Sequence, residues 1–388
     1  MHPLNPFFSI IIFLIAIITA YIIKRKYKIG TPSGRYETID GMRGLLALSV
    51  FICHSAVWHQ YLQIGKWAHP KSNLYYQFGQ TSVTLFFMIT SFLFISKLLH
   101  ARETGFNWKA FFISRIYRLA PMYYVSLLIT IISIMFVCEW QLNSNLPNLI
   151  SSIGEWSFFT IHHEPNINNS EYTLIMGGVV WSLPYEWFFY FSLPIISLFI
   201  LKIKPQILYI GLGIIFIIIF CFVHDIKHIH LYAFIGGAIA PIIIKYFSFY
   251  KKINNTLVSM IIIICLFLIG KYTNVSSLFC LLLITIIFTA IALGNTLFGI
   301  LSNATLRFLG DICYSTYLLH GIILFTVYYW GFGLENVKNL SSPAYCAVVF
   351  AITPLVVFIS FLGYKYIEKP FMEKAKNSIK TKQVSGIN

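Results

Sequence analysis

Apolar runs of about twenty residues, each long enough to cross a bilayer as a helix, recur along almost the whole chain. They fall at roughly 6–23, 41–61, 77–97, 119–138, 178–201, 206–223, 231–248, 255–270, 275–294, 312–330 and 343–364, about eleven in all. In lipid every backbone N–H and C=O must find its partner within the protein, which leaves helices or closed barrels. The runs are about twice the length of a barrel strand, so helices remain. Composition agrees: 58% of the residues are hydrophobic and 11% charged, where a soluble domain carries about 25% charge. Mean hydropathy is +0.76. The expected fold is an all-α polytopic membrane protein of about eleven transmembrane helices.

A net charge of +15 is a common sign of nucleic-acid binding, but its distribution points elsewhere. With the N-terminus outside, all of the 28 Lys and Arg except Lys66, Lys71, Lys227, Lys271 and Lys338 fall in cytoplasmic segments. The acidic residues divide evenly between the two sides, with Glu186 alone inside a run. A bias in Lys and Arg only is the mark of membrane orientation. It places the C-terminus in the cytoplasm and gives no reason to expect a nucleic-acid partner. The first run lacks a basic leader and a cleavage site, and Lys24, Arg25, Lys26 and Lys28 follow it. It reads as a retained transmembrane helix rather than a signal peptide. The seven Cys form no close pairs and read as small buried hydrophobes, without disulfides.

Ionisable residues inside a membrane are costly, so each is a candidate for function. Arg43 and His54 are eleven residues apart on the second run. That spacing puts them within about 20° of one helical face and ~16 Å apart along the axis, Arg43 near the cytoplasmic end and His54 deep. A neutral imidazole at depth can accept a proton; the competing reading is a hydrogen-bonded structural histidine, with Arg43 snorkelling to the interface. Glu186 lies at a comparable depth and is read as orienting His54 or holding a hydroxyl; the alternative is a carboxyl paired with Trp or Tyr for packing. Pro184 should loosen that helix. Arg115 and Arg118, three apart before the fourth run, read either as an ordinary basic cluster or as a clamp on phosphate oxygens. Tyr317 sits one turn before His320 in the tenth run. Pro370 should stop the last helix, and Glu368 beside it reads as the structural partner of a basic group. The histidines of the outer loops (162, 163, 224, 228 and 230) lack a familiar ligand spacing, so no metal is expected.

Several stretches, in order, resemble the acyltransferase-3 family of bacterial membrane O-acyltransferases. They are IDGMRGLLAL…CH (39–54), FFMITSFL (86–93), SRIYRLAP (114–121), WSLPYEWFFY (181–190), ICYSTYLLHG (312–321) and YIEKPF (366–371). The family typically reads LDGLRGLAAL…H, FFVLSGFL, R-x-x-R, WSLSVEWQFY, ISYSLYLLHxP and YxxEKP. Here Ser91 stands where Gly is usual, Pro184-Tyr185 replace Ser-Val, and Gly321-Ile322 follow His320 where a Pro is common. The resemblance implies a ten-helix core with one added N-terminal helix. It also implies the stand-alone form, without a C-terminal esterase-like domain.

The resemblance further implies acyl transfer, usually of acetyl from cytoplasmic acetyl-CoA, to a hydroxyl of a cell-envelope glycan at the bacterial inner membrane. Acetyl-CoA is then a co-substrate, with no permanently bound cofactor. The family's essential Arg and His correspond to Arg43 and His54, its Arg pair to Arg115 and Arg118, and its Trp-Ser-Glu element to Trp181, Ser182 and Glu186. The expected catalytic set is His54, Arg43 and Glu186. The donor contacts are Arg115, Arg118 and Arg43, and the supporting residues are Trp181, Ser182, His320 and Tyr317. Trp58, Trp181 and Trp187 are candidates to stack on a sugar. The expected organisation is an N-terminal helix and basic linker (1–34), the membrane domain (35–371) and a basic tail (372–388), disordered from Glu373. A glycan or acyl-carrier transporter is the alternative, since buried Arg, His and Glu also build proton relays, although no inverted repeat is visible.

Overall fold

The computed structural model describes residues 1–30, 36–199, 205–247, 253–274 and 276–385, with the side chains of 102–104 and of 380 onward left aside. The boundary at 34/35, the inner turn at 202–204, Lys251 and Lys252, and the last three residues of the basic tail lie outside the described residues. Among the described residues there are helices and turns and no strand. In chain order the helices are α1 (Pro6–Lys26), α2 (Glu37–Ile64), α3 (Asn73–Thr104), α4 (Trp108–Val137), α5 (Leu146–Ser157), α6 (Tyr172–Gly177), α7 (Leu183–Phe199) and α8 (Ile207–Val223). There follow α9 (His228–Tyr246), α10 (Thr256–Tyr272), α11 (Leu278–Ala292), α12 (Ala304–Asp311), α13 (Cys313–Thr326), α14 (Leu334–Lys338), α15 (Ser342–Gly363) and α16 (Lys369–Ser385).

The sequence marks many of these starts. Asn5, Asn107, Asn145, Asn255, Ser277 and Asn303 each accept a hydrogen bond from a backbone N–H in the first turn of the helix that follows, each contact stabilising the helix by about 1 kcal/mol. Gly65 ends α2 in the left-handed conformation that glycine adopts without strain.

The all-α polytopic membrane fold is as expected. Six helices are long and apolar enough to span (α1, α2, α3, α4, α9 and the continuous α15–α16), or seven if α12 and the helix from Cys313 to Phe332, bent by 67°, form one broken span. Among the shorter apolar helices, α8 and α10 have 17 residues each and α11 has 15. At about 1.5 Å per residue they reach only ~22–26 Å, against a hydrocarbon core of ~30 Å.

Both prolines act differently from expectation. Residues 178–182 form a separate 3₁₀ turn, so Pro184 falls in the first turn of α7, where its missing N–H has no partner to lose. Glu186 consequently lies in the first turn of α7, where the helix dipole favours a carboxylate. Pro370 does not stop the last helix. A π-helical turn at Tyr364–Glu368 re-registers the hydrogen bonds, Pro370 enters at the start of α16, and the tail continues as helix to Ser385 instead of becoming disordered at Glu373.

The chain divides into two compact units. The first comprises Met1–Lys97 and Lys227–Ile359, and α2 runs through it with 83% of its apolar window buried. Glycines let α2 approach a neighbouring backbone directly. A Cβ on Gly41 would lie 1.9 Å from the carbonyl oxygen of Leu301, one on Gly44 2.7 Å from that of Leu306, and one on Gly310 1.9 Å from that of Asp40. This is close packing of the kind small residues permit between membrane helices. The second unit comprises Leu98–Ile226 and Ser360–Asn388. There α8 rests on α7 through Gly213, whose Cβ would stand 2.5 Å from the Phe191 oxygen.

Candidate active site

In the first unit, α2 and α13 bring His54 and His320 together. Nδ1 of His54 lies 2.6 Å from Nε2 of His320, with the rings stacked at 16° and their centroids 4.9 Å apart. Nδ1 of His320 lies 2.9 Å from the Thr316 carbonyl oxygen. A carbonyl can only accept, so the proton of neutral His320 sits on Nδ1 and its Nε2 is the acceptor. His54 must then donate from Nδ1, which leaves the lone pair of a neutral imidazole on its Nε2. His320 is wholly buried, His54 is partly exposed, and no hydrogen bond reaches Nε2 of His54 among the described residues. The chain Thr316 carbonyl, His320, His54 thus fixes which nitrogen of His54 is basic.

His320 fills the position at Nδ1 that the sequence reading considered for Glu186. Tyr317 is buried near it, with ring centroids 6.3 Å apart. Arg43 lies about three turns before His54 on the same helix, 3.8 Å from the carboxylate of Asp40, and the nearby Arg307 pairs with Glu37 at 3.2 Å. Trp67, in the loop after α2, was not singled out from the sequence. Its ring lies 6.2 Å from that of His54 and edge-on to Trp58 and Tyr61. No helical period reaches into that loop, so pattern reasoning had no signal there. In the same loop, burial and the nearby Lys227 pull the His69 imidazole below its usual range. Trp58 is wholly buried and Trp187 nearly so, so neither offers a face to a sugar.

In the second unit, α4 and α7 build a different cluster. The Tyr190 hydroxyl donates to the Glu186 carboxylate and also hydrogen-bonds with Arg115. Tyr190 is buried and holds an anion and a cation on one oxygen, a role the sequence reading did not assign. Arg118 forms an ion pair with Glu368, which is fully buried, and its Nη1 also lies 3.1 Å from the Met372 sulfur. The basic partner expected for Glu368 is therefore Arg118. Ser182 is buried within the 3₁₀ turn, and the partly exposed Trp181 stands edge-on to Tyr185 at 6.3 Å.

A helical membrane fold whose embedded face carries an imidazole with an assigned lone pair can take a proton from an attacking hydroxyl. The family model described as "Acyltransferase domain", that of the acyltransferase-3 family, matches residues 36–364. The chain belongs to that family and is a membrane-embedded acyltransferase. No curated protein and no solved structure shows significant similarity to it.

Proposed function

We propose that the chain transfers an acetyl group from cytoplasmic acetyl-CoA to a hydroxyl of a cell-envelope glycan, such as O-antigen or capsule, at a bacterial inner membrane. The observation that carries this reading is the His54–His320 pair, 2.6 Å apart, with His320 anchored on Thr316. Nε2 of His54 takes the proton of the acceptor hydroxyl as its oxygen attacks the thioester carbonyl. The tetrahedral intermediate collapses, the C–S bond breaks, and His54 returns the proton to the CoA sulfur. Acetyl reaches the acceptor directly in this sequence, or by way of an acyl-imidazole on His54.

The other roles are assigned by residue. Arg43, Arg115 and Arg118 are the proposed contacts to the donor's phosphates, because guanidinium presents a fork to phosphate oxygens. Glu186 is the proposed polar contact to acceptor or donor, held by Tyr190. Trp181, Ser182, Tyr317 and His320 support the site. Residues 35–371 form the proposed catalytic domain, with 1–34 and 372–388 as flanking segments.

An eleven-crossing topology, N-terminus outside, is part of the proposal. It is supported by the Lys and Arg distribution and by the apolar side chains that α8 and α10 leave exposed, such as Ile207, Phe222, Leu257 and Phe267. The shortfall in helix length is a few Å, which bilayer thinning accommodates.

The test is transfer of radiolabelled acetyl from acetyl-CoA to glycan by the purified protein in proteoliposomes. Label should appear in the glycan and fall by about 10²–10⁴-fold in His54→Ala. Wild-type protein that moves no label, or a His54→Ala variant of normal activity, would sink the proposal.

A further inference from the structure

We propose that Glu155, His162 and His163 form a binding site for a zinc-type divalent cation, apart from the acyl-transfer machinery. The three come together through local chain folding. Glu155 lies near the end of α5, and the chain then reverses through Phe159 and Thr160, both in the left-handed region at φ 58° and 53°. Two consecutive side-chain-bearing residues in that region are uncommon, and here they return His162 to Glu155. Nδ1 of His162 lies 3.1 Å from Oε1 of Glu155 and 2.7 Å from Nδ1 of His163. One ligand atom from each residue lies within 4.8 Å of the other two.

Without metal, a single Nδ1–H on one ring can serve as the hydrogen-bond donor within this group. With both rings protonated at Nε2 instead, each Nδ1 turns a lone pair to the same point as the carboxylate oxygen. A single cation at the centre accepts all three. Zinc bonds of ~2.0–2.1 Å hold tetrahedral ligand atoms about 3.3 Å apart, so the present separations require only small side-chain movements. Two nitrogens and one carboxylate select zinc-type ions over calcium and magnesium, which take oxygen.

Two further observations point to the same place. His224 follows α8; its buried Nδ1 has no hydrogen-bond partner among the described residues, and His162 is close enough to act electrostatically on it. Glu155 and His163 also form part of the wall of a polar cavity of about 250 Å³, lined besides by Asn148, Ser151, Asn166 and Asn169. A cation held by three protein ligands there keeps a fourth position for water or for an oxygen ligand from the cavity.

The experiment uses the full-length protein in nanodiscs, stripped with chelator and titrated with zinc chloride by calorimetry, with bound metal counted by elemental analysis. Wild type should bind one zinc at micromolar concentration. His162→Ala/His163→Ala should lose affinity by at least about tenfold, and calcium should not compete. His228→Ala, at the start of α9 in the other histidine-rich segment, should bind as wild type. Cobalt bound to wild-type protein should give the intense visible bands of a tetrahedral site, a readout that needs no variant to fold. The proposal is overturned if wild type binds no zinc in that range, if the double variant binds as tightly as wild type, or if His228→Ala abolishes binding.

Discussion

The smallest scale that decides function here is a single nitrogen. His54 was legible in the sequence as an imidazole at depth on the face of Arg43; which nitrogen is basic was not, because the answer lies 266 residues away at His320. His320, a supporting residue by resemblance, gave no sign of this pairing, since a lone histidine on a helix does not show its partner. The pairing makes its role testable. In His320→Ala, His54 is free to take either tautomer, so kcat should fall by at least about tenfold with the KM for acetyl-CoA little changed. Steady-state acetyl transfer in proteoliposomes separates the two constants, and a pure KM effect would contradict the assignment. Trp67, partly exposed beside His54, is the better candidate for a sugar platform than Trp58. Trp67→Ala should raise the acceptor KM by about three- to tenfold, the range of one aromatic contact, leaving the acetyl-CoA KM unchanged.

At the scale of the helix, the sequence marked where most elements lie and misjudged how several end. Capping residues such as Asn107 and Asn255 sit where the rules of helix termini place them. Pro184 is expected to loosen its helix and Pro370 to end one, because proline inside a helix costs about 3 kcal/mol. That rule does not apply to a first turn, and whether a proline falls there depends on the 3₁₀ and π turns just before it. The glycines of the IDGMRG segment carried a motif, but their purpose appears only in contact with Leu301 and Gly310. Gly41→Ala should destabilise the fold by roughly 1–3 kcal/mol as an overpacked contact. Gly211→Ala, on α8 with nothing within 4 Å of its Cβ, should be neutral or stabilising by up to about 1 kcal/mol. Thermal melts in detergent would show the contrast, and equal shifts would contradict the close-contact account. The Arg118–Glu368 pair belongs to the same scale. Glu368→Ala leaves a guanidinium without its buried carboxylate and should cost about 3–5 kcal/mol, read in the same melts.

For the whole molecule, composition and charge pattern were enough to establish lipid as the solvent, because no aqueous fold hides such apolar excess. The number of crossings depends on helical length as well as on the apolar length that hydropathy measures. Residue labelling can decide it. In a variant with Ser at Cys138 and Cys221, the two native cysteines that are not buried, Cys placed at Lys66 or Lys271 should react with an impermeant maleimide added outside intact cells. Cys placed at Lys109 should react only after permeabilisation. Labelling of all three from outside would contradict the eleven-crossing topology.

The close fit of α2 also has a consequence for how the protein is made. Among the six long spans α2 has the lowest hydropathy, 1.3, yet it is the most buried, at 83%. Its N-terminal charges and glycines meet Arg307, Leu301 and Gly310, and Thr38 bonds to the Ile291 carbonyl 253 residues further on. During synthesis α2 therefore leaves the ribosome long before the segments that complete its surroundings. The nascent chain must shelter a marginally apolar helix until the last third of translation, which makes biogenesis dependent on the membrane insertase and sensitive to truncation after α11.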